Sequence, residues 1–148
     1  MQSLHTPRYK LPLLATGQSN KELFHNEALT LLDFLVHPAV IAKHRDPDTL
    51  DPVEGEAWLI DDDPVGEWVA RANQLALWTA GGWRFLEPQR NFQIFSADTG
   101  ENFVFNNGEW VANGAIVDPE GGPVVDTEAR QAIESILDAL RLKGVILS

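Results

Sequence analysis

The chain has 148 residues and a mass of 16.4 kDa, the size of one domain. Hydrophobic residues make up 44% of it and charged residues 22%, which is typical of a folded protein and argues against wholesale disorder. The net charge of −11 disfavours nonspecific nucleic-acid binding, and the lack of cysteine excludes disulfides and thiolate catalysis. No apolar run reaches the roughly 20 residues that a membrane helix needs, so we expect no membrane insertion.

The charge is unevenly distributed along the chain. Residues 1–45 carry a net charge of +2, whereas residues 46–148 carry −13. The change coincides with Asp46-Pro47-Asp48, where proline and polar residues interrupt an apolar pattern. We therefore predict three segments: an N-terminal arm and anchoring helix (1–45), an antiparallel β domain (46–117), and a loop with a C-terminal oligomerisation helix (118–148).

The first segment begins with a proline-containing apolar stretch. Pro7 and Pro12 disfavour a helix between Leu4 and Gly17, which predicts an extended arm. The arm is rich in leucine and has few partners close by in the sequence. We expect its leucines to be buried against another chain: Leu11, Leu13 and Leu14.

A helix is predicted from about Asn20 to Val36. Ser19 and Glu22 fit a capping box, in which each side chain bonds the backbone amide of the other. Pro38 ends the pattern. The apolar residues recur at spacings of three and four and form one stripe: Phe24, Ala28, Leu31, Leu32 and Leu35.

Between Ala57 and Val111 the apolar residues instead alternate, with β-branched and aromatic residues and frequent turn signals. This pattern predicts short antiparallel strands joined by hairpins. The six predicted strands are Ala57–Ile60, Gln74–Trp78, Trp83–Leu86, Phe92–Ser96, Asn102–Asn106 and Glu109–Val111.

Two of the hairpins look like copies of one another, 27 residues apart. Trp78 and Trp83 occupy the positions of Phe105 and Trp110, and Asn107-Gly108 is a strong signal for a type I′ turn. Each pair should face across its hairpin, which predicts paired rings on one surface. Such rings either fill a thin core or stack on sugars. The candidate glycan-binding residues are Trp68, Trp78, Trp83, Phe105 and Trp110.

The last predicted element is a helix that Asp126 caps and Gly144 ends. Its apolar residues Ala129, Ile133, Ile136 and Leu140 alternate steps of four and three, the spacing of a coiled-coil seam. Isoleucine in such a seam favours three or more strands, so we expect a homotrimer, although the same stripe could pack on the chain's own sheet. The candidate interface residues of the whole chain are Leu11, Leu13, Leu14, Phe24, Leu31, Ile133, Ile136 and Leu140.

The sequence contains no nucleotide-binding, serine-nucleophile or zinc motif. Asp61-Asp62-Asp63 could offer oxygens to calcium, but the spacing of an EF-hand loop is lacking, so a solvated turn is favoured. We expect no catalytic residue, no metal and no cofactor. The predicted class is an α+β fold with an N-terminal extended arm and helix, an antiparallel β domain and a C-terminal helix.

Several runs of residues resemble a known family. Leu11-Pro12-Leu13-Leu14 and His25-Asn26-Glu27-Ala28-Leu29, followed by Gly66-Glu67-Trp68 and Gly81-Gly82-Trp83-Arg84-Phe85, resemble a domain of unknown function. That domain occurs in tail-fibre and related virion proteins of alphaproteobacterial siphophages and gene transfer agents. The resemblance covers about residues 7–113. Glu67 and Arg71-Ala72 depart from a pattern of small residues and Gly-His, so it assigns no ligand contact there.

The resemblance implies a virion appendage protein that is made in the host cytoplasm and engages the host surface. Its expected partners are other tail or baseplate proteins and a bacterial surface polysaccharide, with no nucleic acid. Attachment would rest on weak contacts that several copies multiply. Two alternatives remain open: a structural adaptor of the tail tip or capsid spike without receptor contact, and a glycan depolymerase, which the small size and lack of a signature disfavour.

Overall fold

The computed structural model describes residues 4–15, 17, 21–122 and 126–146. It confirms an α+β fold with a C-terminal helix. Ser19 of the predicted capping box lies outside the described residues. The elements in chain order are α1 (Lys21–Leu35), β1 (Ala39–Val40), β2 (Lys43–His44), β3 (Ala57–Ile60), β4 (Leu75–Thr79), β5 (Gly82–Leu86), β6 (Gln93–Ser96), β7 (Glu101–Asn106), β8 (Glu109–Ala112) and α2 (Thr127–Leu142).

All six predicted strands are confirmed, each within one residue at either end, as β3 to β8. Sequence analysis missed β1 and β2, because strands of two residues are too short to show alternation. These two strands are nevertheless important, since they come from one segment and enter different sheets. β1 pairs in parallel with β6, and β2 pairs in parallel with β3.

The strands form two four-stranded sheets with the same internal order. The first sheet is β2-β3-β4-β5 and the second is β1-β6-β7-β8. Each consists of one short parallel edge strand followed by three antiparallel strands in sequence. The similarity of the two hairpins noted in the sequence therefore extends to two whole sheets.

The main core lies between the sheets and beneath α1. Leu75 and Leu77 of β4 are fully buried there, together with Ile94 of β6 and Phe34 of α1. Replacing one such leucine by alanine typically costs about 2–5 kcal/mol. Because β1, β2 and α1 belong to this structure, residues 21–44 share a core with the β domain that was predicted to start at residue 46.

The two sheets stack with their equivalent faces pointing in the same direction, which we call same-sense stacking. Trp78 and Trp83 of the first sheet lie on the face directed away from the second sheet, in a separate core cluster. Trp110 of the second sheet packs against the core between the sheets. The face of the second sheet that carries Trp110 therefore packs on the face of the first sheet that carries Leu75 and Leu77.

Helix α1 buries only part of the predicted stripe. Leu31, Phe34 and Leu35 pack on the core between the sheets, whereas Phe24 is 78% exposed and Leu32 is 50% exposed. The helix is apolar on more than one side, so periodicity alone could not decide which side meets the sheets. Leu31 is partly buried against the chain's own core, and its role between chains remains a prediction.

The described residues of the N-terminal arm, 4–15 and 17, form no helix, as predicted, and the arm folds back on itself. His5 and Pro12 form a β-bridge, flanked by backbone bonds between Thr6 and Leu11 and between Leu4 and Leu13. The arm therefore has partners within its own chain, contrary to our expectation. The leucines at 11, 13 and 14 are partly buried, and their role between chains remains a prediction.

A buried carboxylate attaches the arm to α1. Asp33 is 1% exposed and accepts hydrogen bonds from Thr6 Oγ1 at 2.7 Å and from the amides of Arg8 and Tyr9, both at 2.8 Å. The turn of the arm also approaches the β domain. Gly55 has a φ of +94°, and a Cβ added to it would lie 2.7 Å from Pro7 Cβ, so only glycine fits this contact.

Helix α2 starts and ends as predicted. Asp126 accepts from the amide of Ala129 at 2.8 Å, and Gly144 has a φ of +63°. Its carbonyl accepts from the side-chain amides of Asn102 and Asn113 at 3.0 and 2.7 Å, which fixes the end of the helix to β7 and to the residue after β8. The predicted seam is largely uncovered: Ile133 is 44% exposed, Ile136 is 59% exposed and Leu140 is partly buried.

We expect Asp33→Ala to lower the free energy of unfolding by about 3 kcal/mol, because it leaves three donors of the arm without their acceptor. Urea unfolding monitored by tryptophan fluorescence measures the change. Asp51→Ala is the control, since Asp51 is exposed and should change stability by less than about 0.5 kcal/mol. Equal stability of the two variants would contradict a structural role for Asp33.

Candidate functional site

Four of the five tryptophans form one cluster on the outer face of the first sheet. This tryptophan cluster comprises Trp58, Trp68, Trp78 and Trp83. The Trp83 ring is central, with its centre 4.8 Å from Trp78, 5.1 Å from Trp68 and 5.6 Å from Trp58. The rings meet edge to face, the geometry that aromatic cores favour.

Trp68 is a core residue and not a sugar-stacking residue, which corrects its assignment. It lies on a short 3₁₀ turn, Gly66–Trp68, that covers the tryptophan cluster. Its side chain is 0% exposed, so no ligand can reach the ring. Its indole Nε1 has no hydrogen-bond partner among the described residues. The buried Trp68 ring therefore covers part of the tryptophan cluster on the side away from the second sheet.

The fifth tryptophan belongs to a second group of rings. Trp110 pairs with Phe105 across the β7–β8 hairpin, as predicted, at a ring-centre distance of 5.2 Å. Phe92 contacts Trp110 edge to face at 6.3 Å. Trp110 Nε1 donates to the carbonyl of Asn73 at 2.9 Å. These contacts fix the Trp110 ring between the second sheet and the loop that precedes β4.

The predicted single aromatic surface is therefore wrong. Trp78 and Trp83 lie on the outer face of the first sheet, whereas Phe105 and Trp110 lie on the inner face of the second. The reason is the same-sense stacking of the sheets, which places equivalent positions on successive layers and not side by side. All four rings are partly exposed, so each group can still reach a ligand at its edge.

The two hairpin turns also differ in geometry. Asn107 and Gly108 both have positive φ, +52° and +89°, as the type I′ turn requires. In the first hairpin, Ala80 and Gly81 do not have positive φ, and Gly82 after them does, at +89°. The residue equivalent to Asn107 in the first hairpin is Ala80, so the polar Asn107 side chain has no counterpart there.

A polar cleft opens where the β7–β8 turn meets the first sheet. This cleft, called the Trp110 cleft below, has a volume of about 490 Å³. The first sheet contributes residues from β2 and from the loops after β3 and before β4, and the second contributes its last hairpin. The lining residues are Lys43, Asp62, Asn73, Asn107, Gly108, Glu109 and Trp110.

Basic residues in and directly after β2 pair with the three consecutive aspartates. Lys43 Nζ lies 2.8 Å from Asp62 and 3.2 Å from Asp61, and Arg45 lies 3.1 Å from Asp63. Parallel pairing of β2 with β3 places these bases beside the acids that follow β3. The aspartates thus form ion pairs at the end of the strand, consistent with the favoured solvated turn.

These contacts shift the ionisation of the cleft residues. The pKa of Asp62 is lowered, first by the hydrogen bond from Lys43 and then by one from the Asn73 side chain. The pKa of Asp61 is lowered mainly by the backbone amide of Asp62, at 2.7 Å, and by Lys43. Burial alone would lower the pKa of Lys43, but its bonds to the two aspartates outweigh burial and raise it.

The part of the chain that the structure describes contains neither a metal-binding cluster nor a membrane-spanning helix. Within it, no group of three or more histidine, aspartate or glutamate side chains could hold a metal ion. None of the described helices has the length and apolar character to cross a membrane. His44 instead bonds Thr49 Oγ1 at 2.9 Å and contacts the Trp68 ring.

The geometry defines an α+β protein with two similar stacked sheets and a polar cleft between them. Residues 25–111 match the family described as a protein of unknown function, DUF2793, and the chain belongs to that family. The matched region runs from α1 to β8 and so contains both sheets and the cleft. No curated protein matches the chain.

Sequence analysis identified Trp110 but missed most of the cleft. Lys43 and Asp62 meet only because of the two-residue strand β2, which leaves no pattern in the sequence. Asn107 was recognised for its turn and not for its exposed amide. Asn73, with a φ of +63°, adopts a conformation in which asparagine is enriched, but its position opposite the second hairpin depends on sheet stacking.

We expect Lys43→Met to raise the pKa of Asp62 toward its ordinary value, because the largest cause of the shift is removed. An acid with a lowered folded-state pKa stabilises the fold above its unfolded pKa and loses that contribution as pH falls through the folded pKa. The variant should therefore lose less stability on acidification than the native protein. Carboxyl-carbon NMR titration measures the pKa.

Arg45→Met is the matched control for this titration. It removes the base directly after β2, which pairs with Asp63 and not with Asp62. An Asp62 pKa that rises equally in both variants, or in neither, would contradict the proposed control by Lys43.

Proposed function

We propose that the protein is a subunit of a virion tail fibre or related appendage and attaches the particle to the bacterial surface by multivalent glycan binding. It acts as a homotrimer, without a cofactor, a metal or an enzymatic activity of its own. It is made in the host cytoplasm, joins other tail or baseplate proteins and does not insert into a membrane or bind nucleic acid.

The observation that carries the proposal is the uncovered seam of α2. Ile133 and Ile136 expose 44% and 59% of their surface. At about 25 cal/mol per Å², burying such side chains between chains is favourable. α2 has 16 residues and is marginal as an isolated helix, so association also stabilises the helix itself.

A trimer multiplies weak contacts to a repeating polymer. Each chain presents partly exposed aromatic rings at Trp78, Trp83, Phe105 and Trp110, on a chain whose net charge is −11. Three linked sites raise the apparent affinity by about 10²–10⁴ over one site when all can engage. The negative charge favours a neutral or cationic polymer over a polyanion.

The structural adaptor is the second candidate, and exposed residues of α1 favour it. Phe24 and Leu32 of α1 are 78% and 50% exposed, and Val36, directly after the helix, is 70% exposed. Together they suit contact with another tail protein. An adaptor would bind a tail protein stoichiometrically and show no affinity for glycans. A depolymerase would release reducing sugar from a surface polysaccharide, which neither other candidate does.

Sedimentation equilibrium should give a mass of about three times 16.4 kDa. Ile133→Glu with Ile136→Glu should give a folded monomer, because charges cannot be buried in the seam. Leu142→Glu is the control, since Leu142 lies on the same helix off the seam and is 85% exposed. A native mass of one chain at micromolar concentration would contradict the trimer.

The fluorescently labelled trimer should adsorb to alphaproteobacterial cells and to their purified surface polysaccharide. The monomeric double variant should bind with about 10²-fold lower apparent affinity, because it loses multivalency. Adsorption assays and a glycan array measure both. Binding to a tail-hub protein without any binding to cells or glycans would contradict attachment and favour the adaptor.

A further inference from the structure

We infer that the Trp110 cleft is the saccharide site, and that it holds one uncharged pyranose residue of the surface polymer. This inference rests on the proposed function and assigns its binding site and ligand class. It differs from the sequence prediction, which spread the site over all the hairpin rings.

The Trp110 ring is held in position before any ligand binds. Phe92 and Phe105 contact it, and its only N–H donates to the carbonyl of Asn73. Because that donor is already satisfied, the part of the ring that borders the cleft is carbon and not a competing polar group. The carbon–hydrogen faces of a pyranose are the part of a sugar that packs on such a surface. Rigid aromatic contacts lose little conformational entropy on binding.

Two polar side chains at the cleft are unpaired. Asn107 and Glu109 are exposed, and among the described residues neither side chain has a hydrogen-bond partner. An amide offers both donors and an acceptor, whereas a carboxylate only accepts. Together they match neighbouring hydroxyl groups, each of which donates and accepts. Asp62 and Lys43, which are bonded to each other, form the opposite wall.

The charge of the cleft selects against acidic sugars. Its ionisable lining residues are Lys43, Asp62 and Glu109, and Asp61 also contacts Lys43. The single base is therefore already neutralised, and Glu109 remains as an unpaired negative charge. A uronic or sialic acid would meet repulsion there without a free cation. A neutral pyranose avoids that cost.

The size of the cleft suits a small ligand, since about 490 Å³ falls in the range of roughly 300–1,000 Å³ for small-molecule sites. The tryptophan cluster is a weaker candidate. Trp83 already contacts three other tryptophan rings, and the unpaired Nε1 of Trp68 in that cluster is buried. At Trp110, by contrast, the ring adjoins unpaired polar side chains that are exposed.

The test titrates the native protein with methyl glycosides of glucose, galactose, mannose and N-acetylglucosamine. Glucuronic acid and glucosamine serve as charged probes. ¹H–¹⁵N spectra resolve the indole N–H of each tryptophan, and Trp110→Phe identifies the Trp110 signal while retaining a ring. We expect a neutral glycoside to shift this signal.

Asn107→Gly and Glu109→Gln test the polar contacts. Glycine readily adopts the positive φ of residue 107, so the first variant removes the amide and keeps the turn. Each variant should weaken binding by about tenfold, the effect of losing one hydrogen bond to a ligand. Asn91→Gly is the matched control, because Asn91 is an exposed asparagine with a φ of +65° away from the cleft. It should bind like the native protein.

The outcomes separate this inference from the proposed function. If neutral glycosides bind but the Asn107 and Glu109 variants behave like Asn91→Gly, the cleft assignment is wrong and glycan attachment stands. Preferential binding of glucuronic acid or glucosamine overturns the ligand class. If neither the glycosides nor the purified surface polysaccharide binds, both the cleft assignment and glycan attachment fail.

Discussion

The packing of the second sheet onto the back of the first is the interaction on which the rest of the structure depends. Leu75 and Leu77 of the first sheet and Ile94 of the second are fully buried between them. The segment 39–44 reinforces this packing, because β1 joins one sheet and β2 the other. The cleft exists because the stacking brings the last hairpin against the loop before β4.

Same-sense stacking explains why equivalent residues of the two copies differ in environment. Trp83 faces outward from the first sheet and packs against the buried Trp68 ring, which makes that group a second core cluster with partly exposed members. Trp110 occupies the same position in the second copy but meets the first sheet, where its N–H finds the carbonyl of Asn73. The same hairpin pattern therefore contributes to a core cluster in the first sheet and to the wall of a polar cleft in the second.

The N-terminal arm and α2 are attached to the rest of the protein through polar contacts, and α2 leaves apolar side chains exposed. Asp33 fixes the arm through three hydrogen bonds, and Gly144 fixes the end of α2 through Asn102 and Asn113. Ile133 and Ile136 remain exposed beside these contacts. Burial of these two side chains against other chains is what assembly of the proposed appendage would require.

The sequence by itself determined the elements whose signals are local. Alternation placed β3 to β8, Asp126 and Gly144 bounded α2, and Asn107-Gly108 set the register of Phe105 with Trp110. Only the tertiary structure decided which side of α1 is buried, where β1 and β2 pair, and that Trp68 is core. It also brought Lys43, Asn73 and Glu109 into one cleft. The physical reason is that these features depend on contacts between residues far apart in the chain, and periodicity reports only what neighbouring residues share.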